Sequence, residues 1–217
     1  MLEDVKESNQ MKQWPYSYVL IASRNKGKLK QFSDLFREFH LEVKGLDQFP
    51  DLPNVEEDQD TFEGNARKKA ETISRLIGGP VISDDSGLVV PALGGEPGVY
   101  SARYAGINAT DEMNNQKLIS EIRSVPESKR QGYYVCVMAL AIPGRATQVV
   151  VGKCHGEILT EPRGNQGFGY DPIFYVPEEK KTMAELSDER RYQISHRAKA
   201  TKQLLTLLKQ EYVLTRR

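Results

Sequence analysis

Residues 17–23, SYVLIAS, are an apolar run of strand length that breaks into a basic polar turn, SRNKGK. Leu29, Phe32, Leu35, Phe36 and Phe39 then follow at helical spacing. A buried strand feeding straight into an amphipathic helix restricts the chain to a sheet with helices packed on it. LEVKGL reads as a second strand. The acidic loop DQFPDLPNVEEDQ leads from it to a helix from about Thr61 to Ile77, with Phe62, Ala66, Ala70, Ile73 and Ile77 as its apolar stripe. Asp60 with Glu63 resembles a capping box for that helix, and Gly78, Gly79 and Pro80 stop it. The next strand, VIS, ends in SDDSGLVV. Beyond the glycine-rich Gly94–Gly98 segment, a helix is expected near Asp111–Arg123, then a hairpin pairing GYYVCVMALAI with TQVVVGKCHGEI across Pro143 and Gly144. A short helix around Met183–Leu186 and a last helix from about Ser195, with Ala198, Leu204, Leu205 and Leu208 inward, complete the chain. Early alternation followed by a late hairpin predicts an α/β fold whose mixed sheet is flanked by helices. Residues 1–16, polar and without periodicity, read as a loose arm before a single domain over 17–217, one core or two closely joined lobes.

The apolar runs YVLIA and VMALAI are far shorter than a membrane span, and no basic-then-apolar leader opens the chain, so no membrane partner and a cytoplasmic location are expected. Cys136 and Cys154 lie in strand-like segments and read as reduced core residues. Thirty basic residues balance thirty acidic ones, which argues against gripping polymeric nucleic acid along its backbone. The charges are nevertheless segregated: acids gather between Asp47 and Asp60, bases in RNKGKLK and RRYQISHRAKATK. Such runs form solvated faces, or line a cleft that needs a cation site beside an anion site.

Several short segments carry chemistry. Ser23, Arg24, Asn25, Lys26, Gly27 and Lys28 occupy a strand-to-helix turn, where free N–H groups and the helix dipole favour an anion; the other reading is a polar helix cap. Glu56 and Glu57 precede the second helix and Lys68 and Lys69 lie about two turns inside it, a pattern that also serves only a dipole and a solvated face. Asp84 and Asp85 follow a buried strand, at the rim where α/β sites form; hard carboxylate oxygens there suit Mg²⁺, and a simple Asp-Gly turn is the alternative. In GFGYD, Phe168 stands between two glycines, placed to lie against a ligand base or to anchor the loop. Ser195 is an N-cap candidate, so His196 and Arg197 project from a helix start as structural or binding groups.

Taken in order, ASRNKGK, EEDQDTFEGNARKKA, SDDSGL, GGEPGVYSARYAG, GFGYDPIF, AEL and ISHRAKA resemble the inosine triphosphate pyrophosphatase family over about Tyr18–Leu208. The resemblance implies an elongated two-lobed homodimer with a central cleft that, with Mg²⁺, cuts ITP, dITP and XTP to the monophosphate and pyrophosphate. By the same resemblance Ser23–Lys28 and Lys69 bind the triphosphate, Glu57 and Asp85 hold Mg²⁺, Asp85 is the general base, and Ser86 touches the nucleotide. Phe168, Gly169, Tyr170 and Asp171, with His196 and Arg197, would hold the base. Three positions depart from the family pattern: Arg24 replaces Gly, Gly64 replaces Glu, and Arg191 replaces a phosphate-binding Lys. Arg191 keeps the charge, and Arg24 narrows the turn unless it points away. Two rival functions share this pocket: a catalytically silent nucleotide sensor, and a triphosphatase releasing orthophosphate.

Overall fold

The computed structural model describes residues 12–213. In chain order these form β1 (Lys12–Gln13), β2 (Tyr18–Ile21), α1 (Lys26–Phe36), β3 (Glu42–Lys44), α2 (Phe62–Ile77), β4 (Val81–Val89) and α3 (Asp111–Ile122). The long hairpin β5 (Gln131–Ala141) and β6 (Gln148–Ile158) follows, then β7 (Phe174–Val176), β8 (Lys181–Thr182), α4 (Asp188–Ile194), α5 (His196–Glu211) and β9 (Tyr212–Val213). Seven strands make one sheet in the order β3-β2-β4-β5-β6-β7-β8. Pairing is parallel across β3-β2-β4 and antiparallel from β4 onward, the mixed, helix-flanked α/β sheet that the alternation predicted.

Period-two alternation divides the core. Val135, Val137, Ala139 and Ala141 of β5 turn toward α2, where Ala66, Ala70 and Ile73 meet them. Cys136, Met138 and Leu140 turn the other way, toward Phe32 and Phe36 of α1 and Leu204 and Leu208 of α5. A third cluster, with Leu88, Leu118, Ile122, Tyr134, Ile158 and Phe174, fills the end of the sheet covered by α3. Both cysteines are buried and unpaired with each other, as expected. At Gly152 of β6 a Cβ would run into the backbone of His196 and Ala200, so the missing side chain is what lets the start of α5 rest on the sheet.

The structure corrects several local expectations. The cap of α2 is Thr61, whose hydroxyl accepts the Gly64 N–H at 3.0 Å, and not Asp60. β4 does not end at VIS; it runs through the aspartates to Val89, paired residue by residue with β5. α4 is an element the periodicity does not signal, since its seven mostly polar residues show no apolar stripe. On α5 the buried set is Ala200, Thr201, Leu204 and Leu208, with Ala198 and Leu205 only part-buried. Of the arm expected over 1–16, residues 1–11 lie outside the described residues. From Lys12 on it is tied down: β1 pairs in parallel with β9, and Trp14 is buried against Tyr212 with ring centres 5.3 Å apart.

Candidate active site

β2 ends at Ile21, opposite Ile82, so past that point one edge of β4 has lost its strand partner. Alternation sends the adjacent aspartates to opposite faces there. Asp84, on the side of α1 and α5, takes the Lys28 ammonium at 2.8 and 2.9 Å and Nη2 of Arg197 at 3.5 Å. Burial alone would push its carboxyl up, but Lys28, Arg197 and Lys69 outweigh burial and hold it below the usual carboxylate range. Asp85, on the α2 side, accepts Nδ2 of Asn65 and the Ser86 N–H, each at 2.9 Å. Burial and the nearby Glu57 charge, opposed by the Asn65 bond, leave its carboxyl raised. Asn65 is itself fixed, because its Oδ1 accepts the Gln59 N–H at 2.9 Å.

The acidic loop before α2 supplies Glu57, which ion-pairs with Lys69; Lys69 also donates to the Asp84 carbonyl at 3.3 Å. Glu57 and Lys69, with Ser23, Arg24 and Arg103, line a cavity of about 560 Å³. Arg24 is exposed and faces that cavity rather than being packed under the turn. Asn25 has become the cap of α1, accepting the Lys28 N–H at 3.1 Å, while Lys26 and Gly27 are exposed in its first turn.

On the other side, the His196 ring stacks on Tyr134 with centres 5.0 Å apart and planes within 15°. Desolvation on that stack, reinforced by the Arg197 charge, lowers the imidazole to about 3, so it is neutral at physiological pH with one donor and one acceptor nitrogen. Its Nδ1, like Nε of Arg197 and Oγ of Ser86, is buried without a protein partner. Such orphaned polar atoms are costly unless a ligand meets them. Tyr134 also donates to Asp171 at 3.1 Å, and Asp171 accepts the Phe168 N–H at 3.2 Å. Burial, opposed by those two bonds, raises the Asp171 carboxyl.

The Ham1 family model matches residues 19–207, a span that includes every one of these groups. The chain belongs to the Ham1 family. It is 54% identical over 186 residues to the dITP/XTP pyrophosphatase of Geobacillus kaustophilus, an alignment covering 86% of this chain and 91% of that protein. The structure of the Staphylococcus aureus Ham1 protein matches with a TM-score of 0.83 at 45% identity, covering 88% of this chain and 98% of that one. A HAM1 protein from Coxiella burnetii gives 0.85 at 40% identity, covering 89% and 99%.

Within this Ham1-family site the structure gathers Lys28, Glu57, Lys69, Asp85, Ser86, His196 and Arg197 around the open edge of β4. Four other candidates stand differently. Phe168 is 69% exposed, which fits an aromatic wall rather than a buried anchor. Gly169 is held at both backbone groups, donating to Asp111 at 2.6 Å and accepting from Asn115 at 2.8 Å. Tyr170 is buried and donates to the Ser101 carbonyl at 2.7 Å. Arg191 pairs with Asp188, reaches the Met183 and Leu186 carbonyls, and lies 3.9 Å from Asp171, which engages most of its donors. Asn65, Arg103 and Tyr134 escaped the sequence reading. Asn65 and Arg103 lie inside the segments EEDQDTFEGNARKKA and GGEPGVYSARYAG, and Asn65 also stands one residue before Ala66 of the buried α2 stripe.

Among the described residues no group of three or more His, Cys, Asp or Glu could cage a metal ion. Glu57 and Asp85 are close enough for one charge to shift the other. Two carboxylates, with waters and phosphate oxygens completing the shell, are what Mg²⁺ requires and Zn²⁺ does not.

Proposed function

We propose that this Ham1-family enzyme is a Mg²⁺-dependent pyrophosphatase for non-canonical purine nucleoside triphosphates, converting ITP, dITP and XTP to the monophosphate and pyrophosphate. The observation that carries the reading is Asp85, a raised carboxylate aimed by Asn65 and the Ser86 N–H, standing beside Glu57 where β4 runs past the end of β2. In this reading Asp85 takes the proton of the attacking water while the anhydride between the α- and β-phosphates opens. Lys69, Lys28 and the Ser23–Lys28 turn hold the phosphate oxygens and keep the chain in line for attack. Glu57 and Asp85 would hold Mg²⁺, which when bound neutralises phosphoryl charge.

On the base side, Arg197 only donates hydrogen bonds, so its unpartnered Nε suits the O6 acceptor of hypoxanthine or xanthine and leaves two donors facing each other at the adenine amino group. That mismatch costs roughly 1–3 kcal/mol per group, enough to disfavour ATP. Phe168 supplies a face for the base, and Asp171 with Tyr134 keeps that loop and His196 in one geometry.

The same reading places the chain from Ser17 on as one two-lobed catalytic domain, acting in the cytoplasm on free nucleotides rather than on polymeric nucleic acid. No helix among the described residues is long and apolar enough to cross a membrane. It also proposes a homodimer, for which the exposed Tyr100, Ile107 and Met113 offer apolar surface.

The deciding experiment is incubation of the purified protein with Mg²⁺ and ITP, with products resolved. IMP and pyrophosphate in equal amounts are expected, with ATP spared. IDP and orthophosphate as first products would replace the reading with a general triphosphatase, and tight binding without turnover would replace it with a sensor.

A further inference from the structure

Two of the cations that the sequence marks for the phosphates are already matched by acids. Lys28 and Arg197 share Asp84, and Lys69 pairs with Glu57. A triphosphate brings about four negative charges into that cleft, and an ion-paired cation attracts it weakly. Cations without an acidic partner attract it more strongly.

Among the described residues Lys26 and two guanidinium groups near the site make no ion pair. Arg24 and Arg103 both line the 560 Å³ cavity with Ser23, Glu57 and Lys69, and neither has a carboxylate partner among the described residues. The cavity's other acid, Glu56, is exposed. Arg24 belongs to the turn already assigned to phosphate; Arg103 lies in GGEPGVYSARYAG, a segment of the family resemblance to which no site role is assigned. It ends the short 3₁₀ turn Gly98–Arg103, with its guanidinium carbon 5.2 Å from the centre of the Tyr100 ring and one bond, Nη2 to the Glu57 carbonyl, at 3.4 Å. Of five N–H donors, one is engaged. The ring restrains the guanidinium and leaves its in-plane donors free, the arrangement that suits a fork onto phosphate oxygens.

We propose that Arg103 is a substrate-binding residue for the β- and γ-phosphates, the half of the substrate that departs as pyrophosphate. The assignment to that half follows from place: the cavity lies on the α2 side of β4 with Lys69, whereas His196 and Tyr134 stack on the α5 side. The inference rests on reading the cleft as a triphosphate site.

The test is Mg²⁺-free calorimetry of pyrophosphate and, separately, of IMP, on wild type, Arg103→Lys and Arg103→Ala. Competitive inhibition of ITP hydrolysis by the same two compounds is the second measurement, and unfolding midpoints verify that each variant is folded. Arg103→Ala weakens pyrophosphate about tenfold and changes IMP less than twofold; Arg103→Lys recovers part of the loss, since a point charge lacks the fork. Unchanged pyrophosphate binding in Arg103→Ala, or equal weakening of both ligands, overturns the proposal. So does a loss seen only when Mg²⁺ is present, which would confine Arg103 to holding the Glu57 loop. Wild type that binds pyrophosphate through Arg103 yet leaves ITP intact sinks the proposed reaction alone.

Discussion

Asp84 and Asp85 are neighbours in sequence with opposite titration behaviour, and what each carboxylate touches accounts for it. Asp84 faces cations from two helices, while Asp85 faces an amide, a backbone N–H and another acid. The first is suited to organising Lys28 and Arg197, the second to accepting a proton. Asp85→Asn keeps the shape and removes the proposed base, so kcat for ITP is expected to fall roughly a hundredfold or more in a protein that still folds. Asn65→Ala turns that carboxylate without touching phosphate; kcat falls roughly tenfold while KM stays within about twofold. Steady-state kinetics with urea unfolding as the control decide both. Near wild-type turnover in Asp85→Asn would move the base to another group, with Asp84 first in line.

Among the elements, α2 joins the site to the core, because it carries Asn65 and Lys69 while its apolar stripe packs on β4 and β5. Its start therefore matters, and the cap is Thr61, not Asp60. Thr61→Ala costs about 1 kcal/mol, whereas Asp60→Ala, which removes only a charge beside the helix dipole, costs about 0.3–1 kcal/mol. Gly64 adds a second constraint: a Cβ there would lie 2.8 Å from Cβ of Gln59, the residue whose N–H fixes Asn65. Gly64→Ala is therefore destabilising although alanine is the better helix former. Chemical denaturation of the three variants tests the set; a larger loss from Asp60→Ala than from Thr61→Ala would reinstate the capping box.

For the whole molecule, the two ends of the described chain meet. β1 lies beside β9, Trp14 packs edge-on against both Tyr16 and Tyr212, and Arg145 sits over the Tyr212 ring. This contact draws on residues before and after the 19–207 span of the family model. Trp14 is 6% exposed and belongs to the same cluster as Phe36, Leu204 and Leu208. Trp14→Ala should cost about 3 kcal/mol, read as a lower urea midpoint, while Trp14→Phe keeps most of the stability. An unchanged midpoint in Trp14→Ala would reduce the contact to a surface association.

The amino-acid sequence by itself determined what local periodicity and motif order can carry: the alternation that makes the sheet mixed and helix-flanked, the buried stripe of α2, the hairpin, and the residue set from Ser23 to Arg197 that marks the family. Pairings between distant segments were beyond it. Whether SDDSG bends as a turn or runs on as strand depends on hydrogen bonds to Val137 and Met138, more than fifty positions away, and a turn-forming composition points the wrong way until those bonds exist. Only that pairing puts the two aspartates on opposite faces, ties Lys28 and Arg197 to one and Asn65 to the other, and leaves Arg103 as an unmatched charge in the cavity. Local sequence encodes the period of each element; burial and charge compensation at the site arise from residues that meet only when the sheet closes.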